Sequence, residues 1–405
     1  MSPSLQKIDI HSAHADGQNS DDVLTIAHAL AQRLAKTAVE RDQVGGHAAT
    51  ERQWIRSSGL LTLSVPQEFG GQGASWETIN QVVRILAQAD SSLAHVFGFH
   101  HLQVAGLQLY GNAQQQRRLL TATVEKQIFW GNSLNPLDKR TVATRLEDGY
   151  VLNGVKSFSS GSVGSDWLTI SAWDETTQSP LIAVTSSNQP GIQIQSDWDA
   201  FGQKQTDSGN VHFNQVFLPD DLVLQAPGKT PTPQATVRSQ MAQLIMTNLY
   251  LGIGLGAFEA ARTYTKQQAK PWFASGVEQS SDDPFIQRRY AELWLLLRPA
   301  IALADSAGRE LNQVLQQGAL ITKEDRGNLA ISVVEAKCLA HRAGIEASTQ
   351  LFDLTGARST SSKFGFDRFW RNVRVHTLHD PIDYKLRDLG RYLLDARFPD
   401  PTPYS

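Results

Sequence analysis

Two changes of residue period divide this chain, and they constrain its fold more than any single motif. Up to about residue 127 the apolar positions recur at helical spacing. Val23, Ile26, Ala27, Leu30 and Leu34 form one such stripe, which Ser20 is placed to cap. A turn-rich break, Val65-Pro66-Gln67-Glu68-Phe69-Gly70-Gly71, precedes a second helix that Ser75 can cap and that runs through Ile79, Val82, Val83 and Leu86. A third helix is expected from about Ser92 to Tyr110, closed by Gly111-Asn112. From Ile128 the runs become short and strand-like. Asp148-Gly149 and Asn153-Gly154 predict tight turns on either side of Tyr150-Val151-Leu152. Residues 167–173, 181–184, 211–214 and 216–219 read as further strands, which suggests a small barrel or sandwich. After a loop rich in proline and threonine, 226–236, helical patterns return near 241–266, 284–315, 324–352 and 381–395, enough for a four-helix bundle.

Bulk properties narrow the function. With 405 residues there is material for two or three domains and a sizeable core. Net charge is −3 with the signs interspersed, so no basic stripe points to nucleic acid. The one cysteine, Cys338, sits in an apolar helical pattern and gives neither a disulfide nor a zinc spacing; a buried thiol in a reducing compartment is expected, and no metal site. Met1 to Gly17 is polar, without a signal-peptide core, and no stretch approaches a membrane span. A soluble cytoplasmic protein is expected.

The densest chemistry lies at Arg371-Asn372-Val373-Arg374-Val375-His376-Thr377-Leu378-His379-Asp380-Pro381. His376 and His379, three apart, share one face of a helical turn that Pro381 ends or bends. Histidine is the side chain best poised for proton transfer near neutral pH. His95 and Phe99 share a face of the third helix; His100 and His101 are weaker candidates. Asn132, at a strand end, offers an amide donor and acceptor. Phe158-Ser159-Ser160-Gly161 can flank a planar ring and bond its edge. Lys270, Arg358 and Arg371 invite a phosphate reading. It is better supported at Thr355-Gly356-Ala357-Arg358-Ser359-Thr360, where a guanidinium and hydroxyls follow a helix end. Gly252-Ile253-Gly254-Leu255-Gly256 is no phosphate loop, since no strand precedes it; its small residues suit close helix packing.

The order helical, β, helical, with these segments in place, resembles the acyl-CoA dehydrogenase superfamily over residues 21–398. Val65 to Gly71, Asn153-Gly154-Val155-Lys156-Ser157-Phe158 and Gln350-Leu351-Phe352-Asp353-Leu354-Thr355-Gly356 carry the likeness. The resemblance implies an α+β fold in three domains: an N-terminal α-helical domain (1–127), a central β-barrel (128–236) and a C-terminal four-helix bundle (237–405). Where the dehydrogenases keep a glutamate base, this chain has His376-Thr377-Leu378-His379-Asp380-Pro381. In this it is similar to the flavin-dependent monooxygenase branch, the dibenzothiophene monooxygenase and sulfone-assimilation type. Asp199-Ala200-Phe201-Gly202-Gln203-Lys204-Gln205-Thr206-Asp207-Ser208-Gly209 and Lys270-Pro271-Trp272 support that branch.

Carried over by position, the resemblance puts His95, Asn132, Ser160 and His379 around the reactive edge of a flavin, with His376 near. Phe158 and Phe201 lie against flavin or substrate. Arg358, Ser359 and Lys270 reach its phosphate, Lys270 from a neighbouring subunit of a homotetramer. The family usually has arginine where Lys270 stands and often tyrosine where Phe99 stands. The implied enzyme takes reduced FMN from a separate NAD(P)H:flavin reductase, with FAD as the alternative. Oxygen then reacts to give a C4a-hydroperoxyflavin that oxygenates a small substrate, foremost an organosulfur compound. Rival readings are an N- or C-hydroxylase of an amine or aromatic, an FAD-dependent acyl-CoA dehydrogenase, and a non-catalytic flavin-binding scaffold.

Overall fold

The computed structural model describes residues 17–405, so the polar stretch before Gly17 lies outside the described residues. Six helices come first: α1 (Gly17–Ala35), α2 (Ala38–Val44), α3 (Ala49–Ser57), α4 (Trp76–Ala89), α5 (Ser91–Tyr110) and α6 (Ala113–Glu125). Ser75 caps α4 as expected, its Oγ accepting from the Thr78 N–H at 3.1 Å. Ser20, expected at the start of the first helix, lies within α1, which starts at Gly17. Asn112 both follows α5 and opens α6, through a reciprocal capping box with Gln115. α5 is buried on every side from residue 91 to residue 107, as befits a helix apolar all round.

The strands are β1 (Trp130–Ser133), β2 (Val142–Arg145), β3 (Gly149–Lys156), β4 (Trp167–Asp174), β5 (Ser179–Ser186), β6 (Ile192–Ile194), β7 (Val211–Pro219) and β8 (Val223–Gln225). They form one curled sheet in the order β6-β7-β3-β2-β4-β5-β8, with β1 also on β4. β1 and β2 both run parallel to β4, β1 against Trp167 to Ile170 and β2 against Trp173 and Asp174. Asn153-Gly154 is not a turn. It is a bulge inside β3, where the register against β7 shifts. Gly154 has φ +130°, and the Asn153 amide oxygen accepts from the Gln215 N–H at 2.9 Å. Its local chemistry suits a turn, but the pairing of β3 with β7 on both sides of it overrides that preference.

The last part holds α7 (Pro233–Gln267), α8 (Pro284–Gln316), α9 (Lys323–Thr355), α10 (Asp367–Thr377) and α11 (Ile382–Asp395), so a short fifth helix joins the four expected. α7 and α9 run parallel: Gln243 meets Lys337, the Tyr250 carbonyl faces Gly344, and the Thr265 hydroxyl donates to the Leu354 carbonyl at 3.1 Å. Gly254 allows this closeness, while Gly252 and Gly256 admit α4 on another side of α7. A Cβ on Gly252 would stand 2.5 Å from that of Ala87 on α4, and one on Gly254 would stand 3.3 Å from Gly344. Contrary to the sequence expectation, α7 is long and apolar enough to cross a membrane, but its most apolar stretch is mostly buried in the bundle.

Candidate active site

The site is built outward from α5. The His100 Nδ1 accepts from the Trp130 N–H at 3.1 Å, and its Nε2 donates to the Leu61 carbonyl at 2.8 Å. His101 is tied to the Ser64 hydroxyl at 2.7 Å. These two histidines are therefore fixtures: His100 docks β1 on α5, and both tie α5 to the segment around residues 61–64. One turn earlier, Val96 packs under Gly161, where an added Cβ would be 3.3 Å away. The loop after β3 is thereby held against the His95 end of α5. The Asn132 N–H donates to the Ser160 carbonyl at 2.9 Å, so these two candidates are neighbours. The Ser160 hydroxyl bonds Ser208 at 2.8 Å, and Ser208 bonds Thr206 at 2.7 Å. Residues 203–208 also dock on α10 and α5: the Gln203 N–H donates to Asn372 at 2.7 Å and its side chain donates to Ser91 at 3.1 Å.

Three elements converge here. The His95 ring stacks on Phe99 with centroids 4.1 Å apart and meets His376 of α10 at 4.7 Å. The Tyr250 hydroxyl donates to the His376 carbonyl at 3.0 Å. Burial, with the nearby His379 as a lesser cause, pushes His95 down to about 3. Burial, followed by His95 and His379, also holds His376 well below its ordinary value. Both rings are therefore neutral at working pH, hydrogen-bonding groups more than proton carriers.

His379 differs. α10 ends at Thr377, and the His379 N–H reaches back to the His376 carbonyl at 3.1 Å. The two histidines do not share a buried helical face: His376 is buried, whereas the His379 side chain is 39 % exposed. It lines a cavity of about 450 Å³ together with Tyr384, Lys385 and Tyr404, and Asn132, Phe158, Ser160 and Phe201 do not border that cavity.

The remaining candidates are dispersed. Phe158 is exposed at φ +55°, with Trp198 at 5.8 Å. Phe201 stacks near Trp370 of α10 at 6.2 Å, and its carbonyl accepts from Arg371 at 2.8 Å. Arg371 is taken up by Asp42 and Asp367, which explains that basic residue without a phosphate. Ser359 turns its hydroxyl inward to Thr355 and the Gly356 carbonyl, both at 2.7 Å. Arg358 and Lys270 are exposed. Thr265 and Leu354 join the C-terminal ends of α7 and α9, so Lys270 and Arg358 gather at that end of the bundle. Sequence reasoning passed over Tyr250 and gave Ser208 no role of its own inside the Asp199 to Gly209 run. Only contact between distant segments marks them.

A planar, polar-edged ligand fits these residues. Both ring nitrogens of His95 are buried with no partner from the protein, so a water or a ligand atom is what would satisfy them. With the Asn132 amide and the Ser160 hydroxyl they offer donors and acceptors to the edge of a flavin ring.

The acyl-CoA dehydrogenase N-terminal domain matches residues 23–127, the middle domain 131–216 and the C-terminal domain 244–384. A probable FMNH2-dependent monooxygenase, SfnC of Pseudomonas putida, is 45% identical over 383 residues, 94% of this chain and 97% of that protein. Dibenzothiophene monooxygenase of Rhodococcus qingshengii is 41% identical over 416 residues, 99% of each. Among solved structures, methanesulfinate monooxygenase MsuC of Pseudomonas fluorescens superposes with a TM-score of 0.93 at 44% identity, covering 94% of this chain and 99% of that one. The chain belongs to the acyl-CoA dehydrogenase family, among its FMNH2-dependent monooxygenases.

Proposed function

We propose that this chain is the oxygenase of a two-component system that uses reduced FMN and O2 to oxygenate the sulfur of a small organosulfur compound. The observation that carries the reading is the buried, unpartnered His95 ring against His376, on the helix whose Val96 packs under the loop that bonds Ser160 to Asn132, with His379 opening from the turn just beyond. When bound, reduced FMN supplies the activation of O2 and the electrophilic oxygen. The chain's own residues do the rest. Asn132 and Ser160 hold the polar edge of the ring system. The neutral His95 and His376 donate or accept hydrogen bonds without carrying charge into the site. His379, at the open side, takes and returns a proton through its ring. Phe99 and the buried wall of α5 exclude water, which would divert the oxygen to peroxide. A flavin reductase supplies the reduced cofactor, and a cytoplasmic setting with NAD(P)H suits such a pair.

The layout of the bundle supports a phosphate site completed by a second subunit. Lys337, beside the His379 turn, and Thr355, beside Arg358, lie about 27 Å apart along α9 at 1.5 Å per residue. One flavin mononucleotide does not bridge that span. Arg358 and Lys270 therefore serve the flavin of a neighbouring copy, in a homotetramer. Arg358→Ala is expected to cost about 1.5–3 kcal/mol of reduced-FMN affinity, the worth of a charge-assisted hydrogen bond, with little change in rate at saturating flavin. Flavin titration under anaerobic conditions checks this, and unchanged affinity removes Arg358 from the site.

The activity itself is tested with a flavin reductase, NADH and a panel of thioethers, sulfoxides, sulfinates, amines and phenols under isotopically heavy oxygen. A gain of one heavy oxygen on a sulfur compound is expected. Labelling confined to the amines or phenols would replace the sulfur assignment with a hydroxylase. No labelled product from any class, with normal flavin binding, would defeat the oxygenase reading.

A further inference from the structure

We propose that Asp380 is a positioning residue for His379, and that Lys337, buried on α9, acts through it. The inference rests on the role given to His379 above. Asp380 Oδ1 lies 3.2 Å from His379 Nδ1 and accepts from Lys337 Nζ at 2.6 Å. Its other oxygen, Oδ2, faces Lys385 Nζ at 3.6 Å. Lys337 also donates to the Gln243 side chain on α7, and Lys385 to the carbonyl of Tyr404, whose ring sits 5.5 Å from that of His379. All three charged side chains are buried. The carboxylate is thus gripped by α9 and α11 directly below an accessible histidine.

The grip has a chemical consequence. Between two ammonium groups Asp380 stays ionised, and an ionised carboxylate only accepts hydrogen bonds. The proton of the neutral His379 ring must then sit on Nδ1, which leaves Nε2 with its lone pair for the reaction. A carboxylate on the far nitrogen fixes both tautomer and ring direction. Pro381 helps, because the residue before a proline is held out of the helical region, so the Asp380 backbone has little freedom to turn away. Lys337 is the telling group. It interrupts the buried stripe of Val333, Ala340 and Gly344 on α9. A buried ammonium costs stability that a well-packed apolar residue would not. That cost is intelligible if the charge keeps Asp380 in place.

The test uses the full chain with reductase, NADH and the substrate found above. Asp380→Asn, Lys337→Met and His379→Ala are compared with the two double variants that combine each of the first with the third. Product rate, peroxide release, substrate KM and reduced-FMN affinity are read for each. Asp380→Asn and Lys337→Met should each lower kcat by about ten- to a hundredfold, the usual effect of losing such a support. KM and flavin affinity should stay unchanged. Once His379 is gone, neither substitution should slow the enzyme further. Lys337→Met replaces a buried cation by an apolar chain of similar length, so it reports even if Asp380→Asn fails to fold. Single variants with wild-type rates, beside a crippled His379→Ala, overturn this proposal and leave the oxygenase reading intact. Losses that multiply in the double variants overturn it too, since the pair would then act apart from His379. A harmless His379→Ala removes the role of His379, and this inference with it.

Discussion

Replacing His379 with alanine is expected to leave a folded protein that binds reduced FMN, while product formation falls by roughly two to four orders of magnitude, the span of a lost acid-base group. Oxygen uptake should continue, with its electrons leaving as hydrogen peroxide. The reason lies in position. His379 is the histidine of the cluster that water and substrate can reach, and it stands beyond the end of α10, where its ring is not locked into a core. His376→Ala should be milder in rate if that ring only supports the site. Parallel assays of product, peroxide and oxygen uptake separate the two variants. Normal coupling in His379→Ala would make the turn structural. His95 would not readily take over the proton transfer, since burial holds its ring far below the ordinary histidine value.

Acid is expected to unfold this protein early. Burial pushes His95 down to about 3 and His100 to about 4, and it holds His101 and His376 far below their ordinary value. A folded value below the unfolded one means stability that is whole above about pH 6.5 and is lost as pH falls toward the folded values. For His95 and His100 the loss by pH 5 is about 2 kcal/mol each, at 1.36 kcal/mol per pH unit. The other two shift in the same direction. Against a total stability of about 5–15 kcal/mol this is a large fraction. Denaturant midpoints at pH 7.5, 6 and 5 measure it. A midpoint that does not move between pH 7.5 and 5 would show that these rings have access to solvent or an acceptor for the added proton.

Period alone located most of the long helices, because α4, α8 and α9 each pair a regular buried face with a capping residue that the chain carries in plain view. Local signals failed where one residue serves two masters. Gly111-Asn112 did end α5 as expected, but the second role of Asn112, as the cap of α6, went unread. Asn153-Gly154 has the chemistry of a turn, yet the neighbouring strand makes it a bulge. The histidines were visible as residues but not as states. Nothing near His95 in the chain tells that its nitrogens are sealed in, because His376 of the distant α10 covers the ring. Lys337 did leave a trace, a charge in the middle of an apolar stripe, and it was passed over because its partner lies outside α9. The separation of Arg358 from His379 follows from the docking of the His379 turn on Lys337, midway along α9, far from the helix end that Arg358 follows, and sequence period cannot express that.

The complete burial of α5 has a bearing on how chains of this build can diversify. Its side chains from residue 91 to residue 107 meet other parts of the protein on every side, so a change there disturbs several neighbours at once. The residues that face the candidate site from this helix are therefore costly to change, because each substitution has to be absorbed by several packed neighbours. New specificity has to come from pieces that can alter without repacking a core: the exposed Phe158 and Phe201, and the surface around His379. A search for variants with altered substrates should randomise those positions and leave the helix alone.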